Sequence, residues 1–329
     1  MGRYVARRLL LTIPVMLGAS ILIFAMVYAL PGDPIRALAG DRPVSPAVVQ
    51  VLTERFHLDD PLWVQYWEYL KGLFQGDLGT DFRGRPVLDT IERTLPVTIR
   101  LTIVAVIFEI IIGLAAGVLA GIRRNSFFDN LVLVSTTVIV AIPILVLAFI
   151  AQLLFGLKLG WFPIAGTREG WYSYVLPGLV LASGSLAYVA RLTRTSIAEN
   201  LRADFVRTAK AKGLPPRRII VQHTLRNSLI PVVTFIGADI GALLGGAIVT
   251  ETVFTWPGMG RLFLDSISYR DYPVIQALVL TAIVIGFALT AFASALALQL
   301  FRSIGTVDTD DLTDAEGLGN PFADKGNRT

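Results

Sequence analysis

The chain has 329 residues, of which 54% are hydrophobic and only 16% charged, and it contains no cysteine. Ordinary soluble domains carry about 25% charged residues, so this composition argues against a cytosolic enzyme. The lack of cysteine excludes disulfide scaffolds, thiolate metal sites and cysteine nucleophiles, and a net charge of +4 is too small to indicate nucleic-acid binding.

Six apolar segments are candidates for membrane-spanning helices, because a helix needs roughly 20 apolar residues to cross a hydrocarbon core about 30 Å thick. They are Leu9–Leu30, Val97–Ala120, Leu131–Leu157, about Tyr174–Ala190, Leu229–Val253 and Val274–Phe301.

The first of these segments is longer than the apolar part of a secretion signal, so we interpret it as a retained helix, with a signal peptide as the alternative. The fourth is short, and seen alone it also fits a buried core helix. Pro143 is expected to kink the third.

The orientation follows from the Lys and Arg residues of the short loops, which favour the cytoplasmic side. The segment 191–228 contains nine basic and only two acidic residues, and the N-terminus and the 121–130 turn are also basic. We therefore predict an all-α polytopic membrane protein with six transmembrane helices, whose termini and 191–228 loop lie in the cytoplasm.

Two helices are predicted outside the membrane on the opposite side. In the long segment 31–95, Asp60-Pro61 is a helix start signal, and apolar residues then recur at helical spacing. This amphipathic helix packs on its own protein or forms part of a docking surface for an external partner, and the sequence leaves both interpretations open. A second, short helix, Arg261–Ser268, is expected in the outer loop 254–273.

The cytoplasmic loop contains the most informative stretch. A helix from Asp204 is expected to reach Lys212, where basic residues complement the helix dipole, and Gly213 supplies a C-terminal stop. Val206, Ala209 and Gly213 lie close to one face, which predicts a small apolar face that sits in a groove of another protein. The alternative is a solvated basic loop that only enforces topology.

Ionisable residues inside the membrane are costly and are functional candidates by default. Asp239 lies about ten residues into the fifth span, which is about 15 Å at 1.5 Å per residue. A ridge of glycines at four-residue spacing lies nearly opposite to it, and we expect that ridge to pack on a neighbouring helix. These glycines are Gly237, Gly241 and Gly245. Asp239 then borders the translocation pathway or, alternatively, is a structural Asp that is hydrogen-bonded within the bundle.

Two further acids belong to the same class of candidates. Glu251 lies near the outer end of the fifth span, where solvent is expected to reach it, and it either touches passing substrate or is an ordinary interfacial acid. Glu109 lies in the middle of the second span, where we expect a buried pairing with a polar neighbour.

An ordered set of short motifs gives the chain a resemblance to a known family. In chain order, the motifs are Arg7-Arg8-Leu9-Leu10, Pro31-Gly32-Asp33-Pro34, Gly76-Asp77-Leu78-Gly79, Leu95-Pro96-Val97-Thr98, the run Arg207–Gly213, Ser228-Leu229-Ile230-Pro231, Pro257-Gly258-Met259-Gly260 and Arg270-Asp271-Tyr272-Pro273. Together they resemble the permease subunits of bacterial ABC importers, in the dipeptide/oligopeptide/nickel branch, and most closely the first permease of dipeptide importers. Arg207 and Thr208 depart from the Glu-Ala of the general coupling-loop pattern.

The resemblance implies a fold, a location and a set of partners. The fold is the type I ABC importer permease architecture in the bacterial cell membrane. The expected regions are 1–95 (first helix and external segment), 96–303 (five-helix permease core with the coupling loop 191–228) and 304–329 (flexible acidic tail). The partners are a second homologous permease, two ATPase subunits or domains, an extracytoplasmic substrate-binding protein and the lipid bilayer. The ATPase-coupling residues are Asp204, Phe205, Val206, Arg207, Thr208, Ala209, Lys210, Gly213 and Leu214.

The chemistry of ATP is expected in the partners rather than in this chain. No Gly-Lys dipeptide occurs in the sequence, so it has no P-loop of the G-x-x-x-x-G-K-[ST] type. We therefore expect no cofactor or metal here, with ATP and Mg²⁺ bound by the ATPase partners. Two alternatives stay open at this point: an ion-coupled secondary transporter that uses Asp239 and Glu251, and the same importer class with another cargo such as nickel chelates.

Overall fold

The computed structural model describes residues 2–29, 45–55, 59–81 and 83–304. Within these ranges the chain is helical, with an isolated antiparallel bridge between Thr80 and Pro86 and no β-strand. The acidic tail predicted for 304–329 lies outside the described residues from position 305 onward, as does the Pro31-Gly32-Asp33-Pro34 motif.

Twelve α-helices follow one another in the described part of the chain, and three short π-helical segments join some of them. The helices are α1 Gly2–Ala29, α2 Pro46–Arg55, α3 Leu62–Gln75, α4 Val87–Phe108, α5 Leu114–Ile122, α6 Phe127–Ala141, α7 Ile144–Ala151, α8 Val175–Asn200, α9 Asp204–Ala211, α10 Arg226–Val253, α11 Met259–Tyr269 and α12 Tyr272–Ile304, besides the single turn Pro216–Arg218. The π-helical segments are Glu109–Gly113, Gln152–Lys158 and Ile219–Leu225.

Three continuous helices in the described residues are long and apolar enough to cross a membrane, namely Val87–Ile122, Gly170–Asn200 and Pro216–Gly245. The pair Phe127–Ala141 and Ile144–Lys158 bends by 105° and makes a fourth if it is one broken span. Pro143 lies at this break, as predicted, because proline cannot continue the backbone ladder. Shorter apolar stretches lie within α1 and α12. The count of six spans and the cytoplasmic position of both termini stay predictions.

A seam of glycines holds α5 and the preceding π segment against α8. A Cβ on Gly117 would lie 2.6 Å from the carbonyl oxygen of Ala190, and one on Gly121 would lie 2.9 Å from the Cβ of Ile197. Gly113 meets Val189 in the same way, at 2.9 Å. Small residues at four-residue spacing let two backbones approach closely. These glycines therefore fix the centre of the bundle.

A buried ion pair closes the same bundle at one end. Asp129, in the first turn of α6, is buried and accepts hydrogen bonds from the guanidinium of Arg194 on α8. Its second oxygen also accepts from the backbone N–H of Asn125, at 2.8 Å. The Ser126 hydroxyl caps the helix by accepting from the N–H of Asp129, at 3.3 Å. A polar anchor of this kind ties α6 to α8 where the two helices leave the apolar bundle.

Helix α3, in the segment predicted to be external, packs on its own protein through its tyrosines. The hydroxyls of Tyr66 and Ser20 are 2.9 Å apart, and the rings of Tyr66 and Tyr69 lie within 6.3 Å of the ring of Phe24 on α1. Burial, with a smaller contribution from nearby Tyr66, raises the pKa of Tyr69 to about 12. Another side of α3 exposes Trp63, Trp67 and Phe74. The two interpretations of this helix are therefore compatible.

Candidate functional site

The loop helix α9 forms where the sequence predicts it, between Asp204 and Ala211. It ends because Gly213 takes the left-handed conformation, with a φ of 73°, and donates from its N–H to the carbonyl of Lys210 at 3.0 Å. Leu214 N–H then bonds to the carbonyl of Ala209 at 3.2 Å. Glycine adopts this backbone without strain, so the turn back towards the membrane is fixed by the sequence.

The apolar face of α9 is turned towards its own chain. Val206 and Ala209 are buried in a small cluster with Ile219, and Leu214 packs against that cluster. The prediction that Val206, Ala209 and Gly213 form the face presented to a partner is therefore wrong for Val206 and Ala209. The reason is that the π segment Ile219–Leu225 packs against the helix, and its residue Ile219 covers the apolar face of α9.

The outward side of α9 is polar with one large apolar residue. Phe205, Arg207, Thr208 and Lys210 are all exposed. Arg207 lies 3.3 Å from the Asp204 carboxylate, but both side chains are largely in solvent, and such surface pairs contribute about 0–1 kcal/mol. Phe205 and Arg207 are therefore available to a partner protein, and loss of the weak Arg207–Asp204 pair would cost little free energy.

Glu251 is fully buried, so the expectation that solvent reaches it is wrong. One carboxylate oxygen accepts from the hydroxyl of Thr98 on α4, at 2.5 Å. The other accepts from the backbone N–H groups of Gly260 and Arg261, at 2.8 and 3.1 Å. These N–H groups belong to the first turn of α11, whose dipole favours a negative charge at that end. Glu251 is thus the anchor of the outer loop.

Thr98 and Gly258 complete this anchor. The Thr98 hydroxyl also accepts from the N–H of Met259, at 2.8 Å, so one side chain links α4 to both α10 and α11. A Cβ on Gly258 would overlap the carboxylate of Glu251. The motif Pro257-Gly258-Met259-Gly260 therefore has a structural reason: Gly258 lets the loop approach the carboxylate, and Gly260 lets it approach the backbone of Ile248.

Two of the acids predicted to be functional, Glu109 and Asp239, lie on helical segments of the same bundle. Glu109, at the start of a π-helical segment, is fully buried, and neither of its oxygens has a hydrogen-bond partner among the described residues. It interacts electrostatically with Asp239 on α10. Asp239 is half-buried and hydrogen-bonded to Ser185 of α8, while its Oδ2 lacks a partner. Glu109 is therefore buried as expected, but the polar pairing predicted for it is not found among the described residues.

The glycine ridge of α10 makes few contacts within the chain. A Cβ on Gly245 would meet no atom within 4 Å, and one on Gly241 would meet only Leu289, at 3.9 Å. Both glycines line an apolar cavity of about 290 Å³ between α4, α10, α11 and α12. Packing of Gly237, Gly241 and Gly245 on a neighbouring helix stays a prediction.

Sequence reasoning missed the glycine seam of α5, the pairing of Asp129 with Arg194 and the role of Thr98. The seam has a signal in the sequence, because Gly113, Gly117 and Gly121 recur every four residues. The other two have none. Asp129 and Arg194 are 65 positions apart, and Thr98 and Glu251 are 153 apart.

The family comparisons cover nearly the whole chain. Residues 113–305 match the family described as binding-protein-dependent transport system inner membrane component, and residues 1–102 match the N-terminal family of the same membrane component.

Two relatives are similar to this chain over most of their length. A dipeptide transport system permease protein DppB from Alkalihalophilus pseudofirmus is 41% identical over 321 residues, which cover 89% of this chain and 96% of the relative. A glutathione transport system permease protein GsiC from Escherichia coli is 42% identical over 281 residues, which cover 85% and 91% of the two chains.

Solved structures share the fold at low identity. The MetNI methionine ABC transporter, in inward-facing conformations, aligns with a TM-score of 0.54 and 18% identity, over 65% of this chain and 97% of that one. An amino acid ABC transporter aligns with a TM-score of 0.52 and 16% identity, over 64% and 94%. At these identities the likeness establishes the fold alone.

Proposed function

The chain belongs to the family of binding-protein-dependent transport system inner membrane components, and we propose that it is a permease subunit of an ATP-driven importer of dipeptides or short oligopeptides. It is a multi-pass protein of the bacterial inner membrane. The proposal for the cargo rests on relatives whose names specify dipeptide and glutathione.

The proposed assembly contains this chain, a second homologous permease, two ATPase subunits or domains and an extracytoplasmic substrate-binding protein. ATP and Mg²⁺ are bound by the ATPases, because this chain lacks the Gly-Lys dipeptide of a P-loop. The chain itself supplies half of the pathway and the mechanical connection to the motor.

The observation that supports the coupling mechanism is the way in which α9 is fixed to α10. The inner face of α9 packs on Ile219, and the helical backbone then continues from Pro216 into α10 without a loop. A force applied to Phe205 and Arg207 from the cytoplasm is therefore transmitted to the helix that contains Asp239. ATPase closure would rock α10 and open the pathway to the outside, which is alternating access.

Cysteine cross-linking tests this contact directly, because the chain has no native cysteine. A single Phe205→Cys in the assembled importer should cross-link to a cysteine placed in the receiving groove of the ATPase. Val206→Cys is the matched control, because Val206 is the next residue in the chain and its side chain is buried against Ile219. Equal cross-linking at both positions, or at neither, would contradict the proposed contact face.

Transport measurements complete the test. Arg207→Glu should reduce ATP-driven uptake of a dipeptide in proteoliposomes by about tenfold or more, as expected for the loss of a charge-assisted interface contact. Arg124→Glu, an exposed residue in the 121–130 turn, should have little effect. Uptake that runs on an ion gradient without ATP would instead favour the ion-coupled carrier.

A further inference from the structure

Two carboxyl groups from different parts of the chain interact electrostatically inside the bundle. Glu109 is fully buried with both oxygens unpartnered, and Asp239 has one oxygen that is buried and unpartnered. Neither forms an ion pair with a basic side chain in the part of the chain that the structure describes. Buried polar atoms are nearly always satisfied, so these three oxygens require an explanation.

A positively charged group is the partner that such a pair accepts best. Two carboxylates in a medium of low dielectric constant repel each other and cannot both ionise unless a proton or a cation neutralises them. A cation that arrives between them removes this cost and gains charge-assisted hydrogen bonds. The pair is therefore a site with a preference for a cation, provided that a path leads to it.

The surroundings of Asp239 supply that path. Asp239 and Ser185 are partly exposed, Gly184 beside Ser185 is exposed, and a Cβ on Gly184 would meet no atom within 4 Å, so the space beside them is open. One turn closer to the 191–228 loop, the rings of Tyr188 and Phe235 are in contact, with centroids 4.3 Å apart and planes tilted by 31°, and Tyr188 is 49% exposed. Aromatic rings next to carboxylates favour organic cations through cation–π attraction.

We propose that Asp239, with Glu109 behind it and the Tyr188–Phe235 pair beside it, binds the α-ammonium group of a peptide during its passage through the permease. The inference rests on the proposed function, because it names the part of the peptide that this chain recognises. Asp239 contacts the ammonium group, and the unpartnered oxygens of Glu109 behind it offer further acceptors.

An organic ammonium group fits this site better than a divalent metal ion. Among the described residues no group of three or more acidic or histidine side chains is arranged to hold a metal, and Ca²⁺ or Mg²⁺ takes six or more oxygen ligands. An ammonium group has three donors, which the unpartnered oxygens of Asp239 and Glu109 match in number.

Carbodiimide labelling of the unmodified, assembled importer tests the proposal without a variant and without the binding protein. We expect the reagent to modify Asp239, as read by mass spectrometry, and a millimolar dipeptide with a free amine to protect it. The same dipeptide with an acetylated N-terminus should not protect. Absence of labelling at Asp239, absence of protection, or equal protection by both peptides would each overturn the proposal.

Transport selectivity gives the second test. In proteoliposomes with the complete importer, uptake of the free dipeptide should exceed uptake of the acetylated one at concentrations that saturate the binding protein for both. Asp239→Asn should reduce this ratio by about tenfold, as expected for one charge-assisted hydrogen bond. Glu199→Gln, an exposed acid at the end of α8, should leave the ratio unchanged.

Failure of the proposed function and failure of the ammonium site give different experimental results. If the unmodified importer takes up no dipeptide although its ATPase is active, the proposed function fails. If it takes up the free dipeptide and Asp239→Asn leaves the ratio unchanged, only the ammonium site fails. Restoration of the ratio by Asp239→Glu would support a charge effect rather than a packing effect.

Discussion

The acidic residues at the outer end and in the middle of helix α10 differ in how completely their oxygens are hydrogen-bonded. At the outer end, Glu251 is fully buried and its carboxylate receives three hydrogen bonds. In the middle, Asp239 is half-buried with an unpartnered oxygen and an equally unpartnered acid behind it. The glycines follow the same division, because Gly260 is enclosed and Gly245 is open. Satisfied groups at the outer end stabilise the fold, whereas the unsatisfied groups in the middle are those for which we propose a ligand.

The largest effect on stability is expected from Glu251→Ala. It leaves the Thr98 hydroxyl and the N–H groups of Gly260 and Arg261 buried without their acceptor, at a cost of about 3 kcal/mol. Thermal unfolding of the purified importer should show a clearly lower Tm, with Glu199→Ala as the exposed control. An unchanged Tm would mean that the outer loop does not depend on this anchor.

A pair of glycine substitutions sharpens the comparison along one cavity. A Cβ on Gly260 would lie 2.5 Å from the Cα of Ile248, so Gly260→Ala should destabilise the protein by about 2 kcal/mol. Gly245→Ala meets no neighbour in the chain and should gain up to about 1 kcal/mol of helix propensity. Both are measured as Tm in detergent. A loss of stability for Gly245→Ala that occurs only in the assembled importer would place the second permease on this ridge.

The smallest effect on stability is expected from Asp239→Asn. Replacing the Asp239 carboxylate, one of whose oxygens is unpartnered, by an isosteric amide removes a charge that no basic side chain of the described residues compensates. The free energy of unfolding should therefore stay constant or rise by up to about 1 kcal/mol, although transport selectivity changes. A fall in Tm as large as that of Glu251→Ala would show that Asp239 is a structural residue and would remove the contrast.

The local features of the fold were predictable from the residues themselves. The break at Pro143, the stop of α9 at Gly213 and the short outer helix all follow from backbone preferences that act within a few residues. The face of α9 was not predictable. Helical spacing shows that Val206 and Ala209 share an apolar face, but it does not show whether that face meets the same chain or another one.

The sequence by itself determined that this chain is a helical membrane protein of the importer family, because span length, loop charge and ordered motifs are properties of short, contiguous stretches. Only the tertiary structure decided which acids are satisfied. Its position along α10 predicts that Glu251 is accessible to solvent. In the structure it is enclosed by the first turn of α11 and by Thr98, which is 153 positions away in the chain. Burial and hydrogen bonding depend on which distant segments meet, and that information is absent from local patterns.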